Sequence, residues 1–257
     1  MSTIAASALP LSSAKVSVVN GTANYGAPGV EVTPITKGSI IAEGDSIVTS
    51  DTGIVYLVFS NGVSLTLEEN SNLVFSGLEQ RPYWRGNDDE IPEEEISQSK
   101  FILTLNYGSL RGYAKGLRKD SEFRIKTSLG DILAVENLFF VEIYYDSFQR
   151  KIILNVQNVN GLVDLITKFS KPLKFGRKSK INQQYDPGSE TYQIVRIPPK
   201  RSISMQAPTS NPEIEALVQQ FPTSAKSRLV SEFQTIEPFI VDQQVVSPNG
   251  SDGPVPD

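Results

Sequence analysis

From Lys15 to Met205 the apolar residues recur at every second position in short runs, and a spacing of three to four appears only beyond Asn211. A period of two places alternate side chains on opposite faces of a strand, whereas 3.6 marks a helix. Lys15–Asn20 alternates and stops at Gly21. Residues 22–37, with Pro28 and Pro34, read as loop. Two apolar runs then flank Asn61-Gly62 between Ile54 and Leu67. Asn-Gly between such runs predicts a hairpin with a two-residue turn, whose central residues both take positive φ. On that register Val58 faces Leu65 and Tyr56 faces Leu67. Ile54, Tyr56, Val58, Val63, Leu65 and Leu67 would share one wholly apolar face. The other face would carry Val55, Leu57 and Phe59 beside Ser64, Thr66 and Glu68, half apolar and partly covered.

Further strands follow at Phe101–Tyr107, with Phe101, Leu103, Leu105 and Tyr107 on one face, and around Phe123, Ile125 and Thr127. The last three alternate with Arg124 and Lys126, the pattern of a strand wet on one side. Ile132–Val135, Leu138–Tyr145, Lys151–Gln157, Gly161–Ile166, Tyr192–Ile197 and Ile203–Met205 continue the series. Short strands with frequent turns predict an all-β fold, a sandwich or roll of antiparallel-rich strands. Asn211-Pro212-Glu213 has the composition of a helix start, and Ile214, Leu217, Val218 and Phe221 keep helical spacing as far as Pro222. Thr223 or Ser224 could cap a second helix through Leu229, Val230 and Phe233. The predicted organisation is a flexible N-terminus over 1–14 and a β domain over 15–206. A C-terminal helical segment covers 211–236, and a disordered tail rich in Pro, Gly, Asp and Ser covers 238–257. Within the β domain, residues 81–99 interrupt the alternation with Asp88, Asp89, Glu90, Glu93, Glu94 and Glu95, an acidic insert expected to be exposed. No internal repeat of fixed period is visible.

Composition narrows the chemistry. The 257 residues include no histidine and no cysteine. Disulfides, thiolate metal sites, thiol nucleophiles and Ser-His triads are thereby excluded. Carboxylate chemistry, Ser-Lys dyads and oxygen-only cation sites remain. The acidic insert lacks the alternating ligands and turn glycine of an EF-hand loop. Asp131, Glu136, Glu142 and Asp164 fall in strand regions with nothing to mark a catalytic pair. Gly108-Ser-Leu-Arg-Gly112 lacks the Lys-Ser/Thr and the following helix of a phosphate loop. The expectation is therefore no catalytic residue, no cofactor and no metal. A net charge of -5 argues against general nucleic-acid binding. Against that charge, Lys168, Lys171, Lys174, Arg177, Lys178 and Lys180 form a run of cations without an acid. This run is the first candidate contact surface, toward a protein or an anionic polymer. Trp84 is the second. No stretch approaches the roughly 18–20 apolar residues of a membrane helix. Met1–Pro10 has neither the basic start nor the apolar length of a signal peptide.

The motifs carry a resemblance. Gly44-Asp-Ser-Ile-Val-Thr49, then Leu57-Val-Phe-Ser-Asn-Gly62 with Leu65 and Leu67, then Asn70-Ser-Asn-Leu73 occur in this order. They resemble the FecR-like periplasmic domain. Leu103–Leu110 and Phe123-Arg-Ile-Lys-Thr-Ser-Leu-Gly130 extend the resemblance, and Val135–Val141 departs from it by Glu136 and Asn137 where the family has a basic residue and glycine. The match covers roughly residues 15–166. It implies a non-catalytic role in signalling or at the cell envelope, exerted through contact with a protein or an envelope polymer. It also implies a periplasmic or secreted location, reached after removal of a signal. Two alternatives accompany it: a module binding a glycan or another ligand through the hairpin face and Trp84, and the periplasmic sensory part of an anti-sigma regulator.

Overall fold

The structure is a computed structural model. It describes residues 12–82, 95–167, 180–184 and 192–222, apart from positions 28, 31, 96, 115, 136, 211 and 220. Seventeen strands and one short helix make up these residues. They are β1 (Ala14–Asn20), β2 (Ala23–Gly26), β3 (Thr33–Pro34), β4 (Ile40–Ile41), β5 (Ser46–Thr49), β6 (Ile54–Phe59), β7 (Ser64–Leu67), β8 (Asn72–Gln80) and β9 (Ser99–Ala114). Then come β10 (Glu122–Thr127), β11 (Gly130–Val135), β12 (Asn137–Asp146), β13 (Lys151–Asn158), β14 (Leu162–Thr167), β15 (Lys180–Gln184), β16 (Gln193–Ile197), β17 (Arg201–Pro208) and α1 (Pro212–Val218). The all-β expectation with a short C-terminal helix holds.

The strands form two sheets. Sheet A runs β4-β1-β6-β7-β9-β12-β13-β17-β15, and sheet B runs β3-β2-β5-β8-β9-β10-β11-β14-β16. All pairings are antiparallel except β9 with β10 and β15 with β17. Strand β9 is sixteen residues long and belongs to both sheets. Its first half lies between β8 and β10, and its second half, from Gly108, lies between β7 and β12.

Five phenylalanines close the space between the sheets. The Phe59 ring of β6 lies 6.0 Å from Phe75, 5.7 Å from Phe101 and 5.8 Å from Phe123, all three from sheet B. Phe123 in turn lies 6.3 Å from Phe139 of sheet A. All five rings are fully buried. Each such side chain contributes about 1.5–3 kcal/mol relative to exposure, with aromatic geometry adding to that. Gly112 lies opposite Phe139 on β12, and a Cβ there would meet the ring at 2.1 Å. The glycine is what lets that ring lie flat across its neighbour.

The Asn-Gly hairpin exists, but its register differs from expectation by one residue. Leu57 faces Leu65 and Val55 faces Leu67. The Phe59 N–H donates to Val63 O at 2.8 Å and the Gly62 N–H to Phe59 O at 2.9 Å, so three residues, Ser60 to Gly62, form the loop. Gly62 alone has positive φ, 85°. This is a turn closed by a glycine bulge, the next commonest hairpin loop. One extra residue flips every side chain. The core face is Val55, Leu57, Phe59, Val63, Leu65 and Leu67, while Ile54, Tyr56 and Val58 stand outward with Ser64 and Thr66. Residues 22–37 also depart from expectation, since β2 and β3 lie within them.

Helix α1 begins at Pro212 as expected. Ile214 enters the core, Leu217 and Val218 pack beside it, and the Phe221 ring lies 6.4 Å from Tyr107. The helix thus plugs the sandwich at the end where β9 changes sheets.

Candidate functional site

The sequence motifs converge on a closed polar corner. Gly44 takes φ 89°, the Asp45 carboxylate accepts the Ala42 N–H at 2.8 Å, and Phe75 N–H donates to Asp45 O at 2.9 Å. This turn delivers Ile47 to the core and Thr49 to the corner. The Thr49 hydroxyl donates to Glu68 O at 2.7 Å and accepts the Ser71 N–H at 2.9 Å. The Ser71 hydroxyl accepts the Ser109 N–H at 2.9 Å and lies 3.2 Å from Ser109 O. Next to it Gly108 has φ 94°, and a Cβ on it would come within 2.1 Å of Ser71 Oγ. Three pieces of chain far apart in sequence are locked where β9 leaves sheet B for sheet A. The corner is built from hydroxyls bonded to backbone, and Ser71 is fully buried. Its chemistry is that of a clasp: the buried groups are satisfied and no nucleophile faces solvent.

The strand carboxylates are each held in place. Asp131 accepts from Arg124 Nη1 at 2.9 Å, and Glu122 takes Arg124 Nε. Burial alone would lower the Arg124 guanidinium; hydrogen bonds to Asp131 and Glu122 override it and hold it above its ordinary value. Asp164 takes Arg196 through both oxygens, at 2.9 and 3.0 Å. Glu142, 5% exposed, accepts Asn155 Nδ2 at 2.9 Å, and buried Glu68 accepts Arg111 Nε at 2.8 Å. Glu136 lies outside the described residues. Among the described residues no three carboxylates gather as a metal site.

Glu95 differs from these. Burial raises its carboxyl above the ordinary 4.5, against the lowering influence of the Ser121 and Ser99 hydroxyls and of Arg118. Its Oε2 accepts the Arg118 N–H at 3.2 Å, whereas Oε1 is buried without a hydrogen bond of proper geometry. Its backbone is pinned too, with N–H to Gly116 O at 2.6 Å. Asp120, half exposed, is lowered chiefly by its hydrogen bond to Arg118. The Tyr107 phenol is raised by burial alone.

The outer face of sheet B offers a different kind of surface. Across β11, β14 and β16 it presents Val135 beside Leu162 and Ile166 beside Ile194. Val135 is 38% exposed, Leu162 48% and Ile194 67%. The pairs Arg124–Asp131 and Arg196–Asp164 stand among them. Alternation marked these strands, but sequence reasoning did not single out this surface. The signal was there: Val135, Leu162 and Ile194 are apolar at positions whose strand neighbours are already the inward ones.

The residues singled out from sequence as a contact surface fall elsewhere. Trp84, Lys168, Lys171, Lys174, Arg177 and Lys178 lie outside the described residues. Lys180 opens β15, where its backbone stands opposite Ser202 in the parallel pair with β17. Most of the acidic insert is likewise outside.

No protein-family model matches the chain, and no curated protein matches it. Among solved structures, it is similar to a crystal structure of a protein from Parabacteroides distasonis assigned provisionally as an anti-sigma factor. The two are 13% identical, with a TM-score of 0.38; the match covers 62% of this chain and 53% of that one. The chain thus spans about half the length of that protein. Among the described residues, no helix is long and apolar enough to cross a membrane.

Proposed function

We propose that this chain is a non-catalytic extracytoplasmic domain that acts by protein contact, through the outer face of sheet B. The observation that carries the reading is the set of exposed apolar side chains on one sheet face, Val135 beside Leu162 and Ile194 beside Ile166, with the Arg196–Asp164 ion pair between the two pairs. Exposed apolar side chains interspersed with ion pairs on one sheet face have the mixed composition of a non-obligate docking surface. The absence of catalysis is supported from the other side. The chain has no histidine or cysteine, and Asp131, Asp164, Glu142 and Glu68 are spent on arginine or asparagine partners. The motif resemblance to FecR-like domains supports the envelope compartment. It also supports the narrower form of the reading, in which the partner belongs to a signalling relay as with an anti-sigma regulator.

A photo-crosslinking residue in place of Ile194, with the chain expressed in its own host, tests this. It should give an envelope-fraction adduct with a discrete protein that is lost when Val135→Asp is added. The same residue in place of Phe148, which is 95% exposed on the β12–β13 turn, is the control. Equal adducts from both positions, or adducts in the cytosolic fraction, would overturn the proposal.

A further inference from the structure

Each sheet ends in a strand on either side, and three of these four edges are short or polar. Strands β3 and β4 are two residues long, and β3 closes on Pro34, which has no N–H to offer. Strand β15 reads Lys-Ile-Asn-Gln-Gln beside β17. Strand β16 is different. Its five residues, Gln193-Ile-Val-Arg-Ile197, pair with β14 in unbroken register, and among the described residues no strand pairs with its other side. Edges are commonly protected by proline, a bulge or a charge pointing over the rim. Strand β16 has no proline and no bulge, and its one charge is turned back into the sheet, where Arg196 Nε and Nη2 donate to Asp164 at 2.9 and 3.0 Å. On the outer face Ile194 is 67% exposed. On the inner face Val195 packs against the core yet stays only partly buried, whereas Val163 and Leu165 of β14 are fully buried. The inner row of side chains therefore lacks a neighbour on the side away from β14.

We propose that β16 receives an extended segment of a partner protein as a further strand of sheet B. The proposal rests on the reading of this sheet's outer face as a docking surface, and it names the form the partner takes at the margin of that face. The free side of an edge strand presents alternating N–H donors and C=O acceptors, and the group that matches that spacing is another extended backbone. Side chains of the added strand alternate as well. One on its inner side completes the row at Val195, and one on its outer side lies beside Ile194, so both are apolar. Arg196 adds no demand for an acid, because Asp164 already holds it through both oxygens. A run of β-branched or aromatic residues, without proline and without charge at its centre, fits the edge. A second copy of this chain fits less well. Edge to edge, it brings the five residues of β16 to the contact, against about 20–30 a side in a stable interface. A partner already lying on Val135, Leu162 and Ile194 reaches the same edge with that contact in place, since Ile194 belongs to both face and edge.

Photo-crosslinking of the full chain in its own host tests this. A small diazirine residue takes the place of Ile194, facing out, or of Val195, facing in. A partner that adds a strand gives adducts from both positions, to neighbouring residues of one short partner peptide, as read by mass spectrometry. Adducts from position 194 with none from 195 leave the docking face standing and overturn the added strand. No adduct from either position overturns both. Adducts made of two copies of this chain overturn the partner segment in favour of self-pairing. Val195→Lys adds the inward charge that blunts an edge and should cut the adduct from position 194 by roughly fivefold or more, while circular dichroism shows the sheet intact. An undiminished adduct from an intact sheet overturns the proposal. Where that variant melts, the two crosslinks decide alone.

Discussion

The two outer faces of the sandwich carry similar amounts of apolar side chain and have opposite fates. On sheet A, Phe140, Tyr144 and Ile153 are almost fully buried around a carboxylate. On sheet B, Val135, Leu162 and Ile194 stand in solvent among ion pairs. Size and charge account for the difference. The outward side chains of β12 and β13 are large, and the Glu142 among them is bonded to an amide of the next strand. Such a face is costly to leave wet. Sheet B's outward side chains are mostly β-branched or short and alternate with Arg-carboxylate pairs that keep the surface soluble. A face of the first kind belongs to the interior of the folded chain. A face of the second kind can be left open for a partner.

The largest expected effect lies at the corner joining the two sheets. Gly108→Ala adds backbone strain at φ 94° and a clash with Ser71, together roughly 3–6 kcal/mol. Urea denaturation should show a chain at the edge of unfolding, and a loss below 1 kcal/mol would mean that β9 does not turn there. The comparison of faces predicts the next effect. Phe140→Ala should cost about 3 kcal/mol as a buried truncation, while Ile194→Ala stays within about 0.5 kcal/mol. Equal losses from the two would erase the distinction between the faces. Gly62 comes third. Its Cβ would meet nothing within 4 Å, so backbone strain is the whole penalty. Gly62→Val should lose about 1–3 kcal/mol, and Gly62→Asn clearly less, because Asn tolerates positive φ. Thermal melts that rank Asn below Val would refute the bulged turn. The smallest effect is at Glu95. Its folded pKa is raised, so the folded state holds the proton more tightly. Its protonated form adds stability below about pH 4.5, and that contribution is lost as pH rises through the folded value. Glu95→Gln should match the wild type near pH 4 and melt higher at pH 7. A gap that widens toward acid would reverse the assignment.

The strand inventory was legible because alternation is a local property. Phe101, Leu103 and Leu105, or Phe123 and Ile125, declare their inward face without any partner. Register is not local. Asn61-Gly62 announces a turn, but whether the loop holds two residues or three depends on which face the sandwich buries. The fully buried Phe59, clasped by three rings from the other sheet, decides for three. Strands β2 and β3 escaped notice because Ala23–Gly26 and Thr33–Pro34 are too short to show a period; they exist by pairing with β5 and with each other. The punctuation at Thr49, Asn70-Ser71 and Gly108 could be read as turns, but not as one clasp, since the three meet only in space. The apolar face of sheet B was hidden for a similar reason. Val135, Leu162 and Ile194 come from three segments that β-pairing sets side by side.

The sharing of β9 between the two sheets has a consequence for synthesis. During translation, the half of β9 from Gly108 to Ala114 can pair with β7 as soon as it emerges. Its other edge waits for β12, which is complete only at Asp146. While residues 115–146 are being made, the nascent chain therefore carries a ready strand with open N–H and C=O groups on one side. Such an edge is a template for any other extended chain nearby. The interval between Ala114 and Asp146 is thus the stage of synthesis at which this protein most needs protection from its neighbours.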